Sequence, residues 1–250
     1  SPACYPAGHD FSMTALLRLR NLSKRFGYRT ILQELNLDIQ AGECVLLLGN
    51  NGAGKSTLLR LCATLLKPQQ GQILYEGMPI DEDKHRYLRD MGSIAHESRL
   101  YGDLSPRENL HFFGVLYELK DLPQRIPQAL QDVQLSHAID LPVKNFSSGM
   151  TKRTAIARLL LQQPKLLLLD EPYTGLDQNS VRWFQEYLLN FRKQGGTLLL
   201  VTHQLELGLE LATRVLLLSQ RKIVKDQSSS TVNLSECQQW LSHDPNSHPD

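Results

Sequence analysis

Val45-Leu46-Leu47-Leu48-Gly49-Asn50-Asn51-Gly52-Ala53-Gly54-Lys55-Ser56-Thr57 decides how the rest of the chain is read. A short apolar run, suited to a buried strand, stops at Gly49, and after four intervening residues come Gly54, Lys55 and Ser56. The residues that follow, Leu58 to Leu66, carry apolar side chains at helical spacing. A glycine-rich turn between a buried strand and a helix, closed by Gly-Lys-Ser, lets successive backbone N–H groups wrap a phosphate. Gly49, Gly52 and Gly54 supply the backbone freedom that such a turn demands. The helix beginning near Lys55 points its positive end at the same anion. Lys55 is expected to reach the β- and γ-phosphates and the Ser56 hydroxyl to ligate Mg²⁺, with Asn50, Asn51, Ala53 and Thr57 completing the binding stretch. The stretch therefore predicts a nucleoside triphosphate as ligand.

Upstream, Leu16 to Leu22 alternates apolar and polar, Phe26-Gly27-Tyr28 makes a turn, and Ile31 to Ile39 alternates again. That pattern predicts two antiparallel strands leading into the apolar run. Residues 1–12 lack periodicity and precede Met13, so they are expected to be a tag or non-native leader outside the fold. Downstream, Pro68 and Gly71 end the first helix, Gln72 to Gly77 reads as a strand and turn, and 81–90 as a short helix. Leu104 to Leu141 is helical in pattern, opened by the capping box Ser105-Pro106-Arg107-Glu108 and broken at Pro123 and Pro127. A helix after Ser147 ends at Pro164, Asp177 to Lys193 is an amphipathic helix, and Thr197 to Val201 is a second buried strand. Val215–Leu218 and Arg221–Val224 read as a closing hairpin, and 231–250 as a polar tail in which only Cys237 to Leu241 has helical character.

Apolar residues make up 41% and charged residues 21% of the 250, the balance of an ordinary globular domain. With 27 Lys+Arg against 26 Asp+Glu the net charge is +1, which encodes no general attraction to nucleic acid or anionic lipid. Cys4, Cys44, Cys62 and Cys237 show neither metal-ligand spacing nor a paired framework, and a reducing cytoplasm is the expected compartment. No apolar run approaches the ~20 residues that a membrane helix needs, so any membrane role must come through a partner.

Lys165 to Pro172 is a second chemical centre: four leucines run into Asp170 and Glu171. A run of that form is a fully buried parallel strand. A carboxylate at its end, in a chain with a phosphate-binding loop, is the expected second ligand of Mg²⁺, a role that falls to Asp170. Because the strand ends there, Glu171 is free to turn toward the terminal phosphate and polarise an attacking water.

The order of these motifs resembles the nucleotide-binding subunit of ABC transporters: the phosphate loop, Phe146-Ser147-Ser148-Gly149-Met150 with Lys152-Arg153, Asp170-Glu171-Pro172, Gly175-Leu176-Asp177, and Thr202-His203. The likeness covers roughly Leu16 to Val224. It implies an α/β fold: a P-loop NTPase core on a mixed, mainly parallel sheet, with an antiparallel β subdomain and an inserted helical subdomain. The ATPase domain would span 13–230, with the helical part at about 86–164. It implies ATP and Mg²⁺ as ligands and an ATP-hydrolysing motor that is peripheral on the cytoplasmic face of a membrane. A separate transmembrane permease would be its partner, with no nucleic acid involved. Phe26 stands where an aromatic stacks on adenine. Ser147 and Gly149 stand where one subunit contacts the γ-phosphate held by another, and Asp177 in the loop that joins the two sites. His203 matches the histidine that touches the γ-phosphate and holds the water. The active unit is then a head-to-tail homodimer, or a pair with a second ATPase subunit, around two ATP.

Two positions depart from the family pattern. The signature is usually Leu-Ser-Gly-Gly-Gln, but Ser147 and Gly149 keep its two contact positions. After Ile94-Ala95 the family usually has Gln; here stands His96, followed by Glu97. His96 is either a catalytic participant, with a neutral imidazole accepting from water or Mg²⁺, or a spacer. Participation predicts a pH profile that His96→Gln would change. His-Glu at this loop is similar to exporters of the haem-export, cytochrome c maturation branch. The segment Tyr101 to Tyr117 is where the family docks its permease, and Leu100, Tyr101, Leu104, Phe112 and Phe113 supply apolar material either for that contact or for the helical subdomain's own core. A soluble ABC-type ATPase acting on ribosomes or DNA is the alternative. Those members usually carry two domains or a long coiled coil, and this chain has one domain and no heptad run. A small-molecule P-loop kinase leaves Ser147–Arg153 and His203 unexplained.

Overall fold

Strand β3 (Cys44–Leu48) is buried at every position, and so are β7 (Leu166–Asp170) and β8 (Thr197–Val201). Continuous leucine runs of this kind form where a sheet is covered on both faces. In the computed structural model, which describes residues 15–95 and 100–243, these three are the middle of a six-stranded sheet of order β10-β9-β3-β8-β7-β6. Its other strands are β6 (Met91–Ile94), β9 (Arg214–Ser219) and β10 (Lys222–Ser228). All neighbours run parallel except β9 and β10, which form the expected closing hairpin. A second, antiparallel sheet has the order β2-β1-β4-β5, from β1 (Ala15–Phe26), β2 (Arg29–Gln40), β4 (Gln70–Tyr75) and β5 (Met78–Pro79). The α/β class with its two kinds of sheet is as the sequence implies.

The central sheet divides two cores. Cys44, Leu46 and Leu48 of β3, Leu167 and Leu169 of β7, and Leu198 and Leu200 of β8 face one of them. The intervening Val45, Leu47, Leu166, Leu168, Leu199 and Val201 face the other, against the antiparallel sheet and α1 (Lys55–Cys62). The period of two along a strand produces this division. The first core is roofed by α3 (Pro106–Leu116), α4 (Leu122–Asp132), α5 (Ser148–Gln162), α6 (Gln178–Lys193) and α7 (Leu205–Leu211). Helix α2 (Lys84–Asp90) lies on the other side, through Tyr87.

The capping box of α3 is present: the Ser105 hydroxyl accepts from the Glu108 N–H, and the Glu108 carboxylate from the Ser105 N–H. Two expectations are modified. Pro127 does not break the helix but lies inside α4, whose Leu122, Ile126, Ala129 and Leu130 are buried against α3 and α5. One absent N–H is tolerated because that packing replaces what the helix loses. The stretch expected to begin a polar tail at 231 instead holds a docked helix, α8 (Leu234–Ser242), with Cys237 fully buried and Val232 close to it. The helical character expected of Cys237 to Leu241 is therefore present, in a helix that starts earlier, at Leu234.

The helical layer is tied to the sheet by Arg158 of α5. Its guanidinium donates to the Ser93 carbonyl of β6 at 2.9 Å and lies over the Phe113 ring of α3, 4.6 Å from its centroid. Phe113 joins an edge-to-face aromatic group with Tyr101 and Phe112. Phe113 is buried, whereas Tyr101, Phe112, Val115 and Leu116 are exposed. Phe112, Val115 and Leu116, with Arg107, Glu108 and His111, line an apolar groove of about 530 Å³ on the outer side of α3.

Candidate functional site

Three adjacent parallel strands, β3, β8 and β7, end on one side of the sheet, and ligands of such sheets bind beyond the carboxyl ends of the strands. Past β3 the chain turns through Gly49 at φ 154° and Gly54 at φ 106°. At Gly49 a side chain is excluded by contact as well, since a Cβ there would stand 2.5 Å from the Leu218 carbonyl oxygen of β9. Gly54 is the residue before α1, and no side chain caps that helix end. The first N–H groups of α1 are therefore directed at the loop mouth without a protein side-chain acceptor.

Lys55, first residue of α1, folds its ammonium over the loop and donates to the Gly49 carbonyl at 2.6 Å and the Asn50 carbonyl at 3.0 Å. Burial lowers its pKa, while the carboxylates of Glu171 and Asp170 oppose that shift. Both carboxylates are thus electrostatic neighbours of the lysine. Asp170 is the last residue of β7 and is buried; it pairs in register with Val201 of β8.

Glu171 leaves the strand in the left-handed region, at φ 48°, which a side chain adopts at a cost. Its N–H donates to the Val201 carbonyl at 2.9 Å, so the bend is fixed to the neighbouring strand. One carboxylate oxygen, Oε2, accepts the backbone N–H of His203 at 3.2 Å. The other, Oε1, is buried, has no aligned hydrogen-bond donor among the described residues, and lies 3.5 Å from His203 Nε2. A buried carboxylate oxygen calls for a hydrogen-bond donor, and a bound water fits that need. Lys152 of α5 donates to the Glu171 carbonyl at 3.2 Å, and burial lowers its pKa as it does that of Lys55.

Phe26, Asn51, Gly52, Gly54, Lys55, Ser56, Thr57, Asp170, Glu171 and His203 line a single cavity of about 360 Å³, with Arg29, Ile31 and Val201. Phe26, half exposed at the end of β1, forms part of its rim, with the Lys24 ammonium 5.3 Å from the ring centroid. Ser56 and Asp170 bring a hydroxyl and a carboxylate to the same cavity, hard oxygen donors of the kind Mg²⁺ takes together with water and phosphate. Among the described residues no group of three or more His, Cys, Asp or Glu could hold a metal by itself. Arg29 and Ile31 were not legible as site residues, because their positions follow from the β1–β2 turn, which carries no motif; Lys152 belongs to the signature segment but was assigned no role there.

Ser147, Gly149 and Asp177 are not part of this cavity. They form a second surface, in which Ser147 caps α5 by accepting the Met150 N–H and Asp177 caps α6 by accepting the Ser180 N–H. Gly149 lies so close to Gly175 that a Cβ would stand 2.7 Å from its carbonyl oxygen. Arg153 and Asp177 form an ion pair across the same junction. The Ser180 N–H, foremost, holds the Asp177 carboxyl down at about 2, with the Ser180 hydroxyl and Arg153 adding to the shift. His96 lies outside the described residues.

A family model described as ABC transporter matches residues 32–174. The chain is 37% identical over 196 residues to Nod factor export ATP-binding protein I of Cupriavidus metallidurans, matching 78% of this chain and 65% of that protein. It is 35% identical to lantibiotic transport ATP-binding protein SrtF of Streptococcus pyogenes, over 88% of this chain and 95% of that one. Cytochrome c biogenesis ATP-binding export protein CcmA of Salmonella typhi is 36% identical over 76% of this chain and 90% of its own length. A solved structure described as the ATP binding subunit of an ABC transporter superposes with a TM-score of 0.82 at 26% identity, covering 91% of this chain and 99% of that one.

Proposed function

This chain belongs to the ABC transporter ATP-binding family, and from that premise we propose that it binds and hydrolyses ATP as the motor subunit of a membrane transporter. The observation that carries the proposal is the convergence of Lys55, Ser56, Asp170, Glu171 and His203 on one cavity from three neighbouring strand ends. Lys55 and the N–H groups of the loop and α1 bind the phosphates, and Phe26 offers a ring for the adenine. Ser56 and Asp170 hold Mg²⁺, which when bound neutralises charge on the β- and γ-phosphates. Glu171 polarises the attacking water through Oε1. The His203 backbone fixes Oε2, and its imidazole stands beside the same carboxylate to orient the water.

The separation of Ser147, Gly149 and Asp177 from the cavity supports a head-to-tail pair of chains, in which this surface covers the γ-phosphate held by the partner. The exposed cap of α5 offers N–H groups suited to that anion. The apolar groove on α3 supports docking of a permease segment. Among the described residues no helix is long and apolar enough to cross a membrane. The named relatives serve different processes by their names: Nod factor export, lantibiotic transport and cytochrome c biogenesis.

Glu171→Gln tests the reading directly. The variant should bind MgATP with affinity close to wild type while turnover falls ~10²–10⁴-fold, the usual worth of a positioned base. Steady-state phosphate release and fluorescent-nucleotide titration read the two quantities, and ordinary turnover in the variant would place the base elsewhere.

A further inference from the structure

The phosphate loop is joined to the far end of the sequence. The Asn50 side-chain amide donates to the Leu241 carbonyl at 3.1 Å, across 191 residues. Leu241 is in the last turn of α8, where carbonyl groups have no partner within the helix. Asn50 therefore satisfies a helix end, and the helix end in turn fixes a side chain of the loop that wraps the phosphates. Helix α8 is itself held by the buried Cys237, by Trp240 and Leu241 against the core of the helical face, and by the Lys225 ammonium 4.9 Å from the Trp240 ring centroid. At its start is an exposed capping box: Asn233 accepts the Glu236 N–H, and Glu236 the Asn233 N–H.

We propose that α8 is a positioning element of the phosphate loop, so that docking of α8 and binding of nucleotide favour one another. The loop is rich in glycine, and ordering it costs conformational entropy that falls on nucleotide binding unless something has ordered it beforehand. A docked α8 supplies that order at Asn50. By reciprocity, bound nucleotide holds Asn50 in place and so holds α8 down. The inference rests on the ATP-binding reading above, but it can fail while that reading stands.

Cys237 reports the docking, because its thiol is fully buried in α8 and reacts only when the helix lifts. The experiment uses the full chain carrying Cys4→Ser, to remove a thiol outside the described residues, and Glu171→Gln, to retain ATP. Thiol labelling is followed peptide by peptide with mass spectrometry, with and without saturating MgATP, and Cys62 in the core serves as the control for global opening. MgATP should slow labelling of Cys237 by about fivefold or more beyond any change at Cys62, the low end of ordinary coupling between sites. Adding Asn233→Ala and Glu236→Ala, which loosens α8 from its exposed end, should speed Cys237 labelling and weaken MgATP binding by a similar factor, leaving Cys62 unchanged. Bound MgATP with equal effects at Cys237 and Cys62, or unchanged MgATP affinity in the loosened variant, would overturn the proposal. No MgATP binding to the unloosened chain would instead overturn the ATP reading itself.

Discussion

Glu171 and Gly149 carry opposite kinds of constraint. Glu171 keeps a side chain in a backbone region that favours glycine, a strain of about 1–3 kcal/mol that the rest of the fold has to outweigh. What the strain secures is direction: the carboxylate points across the ends of β7 and β8 instead of alternating away from Asp170. Gly149 has no side chain because the Gly175 carbonyl occupies that space, and both partners are backbone that cannot swing aside. Gly149→Ala should therefore push the start of α5 away from the loop before α6 without touching the cavity. Nucleotide affinity should stay within about twofold, whereas turnover should fall about tenfold or more, equivalent to ~1.4 kcal/mol of lost transition-state contact. Titration with a fluorescent ATP analogue beside a phosphate-release assay separates the two effects.

At the scale of single elements, caps and strand ends decide most of what happens. Ser105 is buried and closes the capping box of α3, so Ser105→Ala should destabilise the protein by about 0.5–2 kcal/mol, read as a lowered midpoint of thermal or urea unfolding. Asp177 tests the charge at another cap. Its pKa is held below the ordinary 3.8, at about 2, so its ionised form contributes stability that is complete above about pH 4 and is lost as pH falls toward 2. Asp177→Asn keeps a capping oxygen but not the charge. The difference in melting temperature between wild type and variant should hold constant from pH 7 to pH 5 and shrink below pH 4. Elements of this kind were legible because their signals are local: leucine runs for β3, β7 and β8, Ser-Pro-x-Glu for α3, and glycine with Lys-Ser for the loop and α1. The continuity of α4 through Pro127 and the docking of α8 were not, since tertiary burial of Ile126 and Leu130 overrides one proline, and Cys237 is buried by residues remote in sequence. Arg29 escaped for the same reason, and so did the contact of Lys152 with Glu171, as only the folded chain brings them together.

Across the whole molecule, one chain holds the cavity to which the proposed function assigns the phosphates and, apart from it, the surface that it assigns to a partner's phosphate. A chain so built should be monomeric without nucleotide and pair when hydrolysis is blocked. Light scattering of Glu171→Gln with MgATP should give twice the 28.4 kDa of one chain, while the same protein without nucleotide, or carrying Gly149→Ala as well, should remain near 28.4 kDa. The strand order then has a metrical consequence. β3, β8 and β7 lie side by side, and neighbouring strands are spaced about 4.8 Å apart, so the outer two ends are separated by about 10 Å. The sheet is in effect a ruler with three marks: a cation at one, an imidazole at the middle and a pair of carboxylates at the last. On the proposed function, the triphosphate lies across these strand ends, where its groups meet all three. The spacing of the marks is thereby set by hydrogen-bonded backbone, and side-chain substitutions can change the group carried at each mark without moving the strands that carry it.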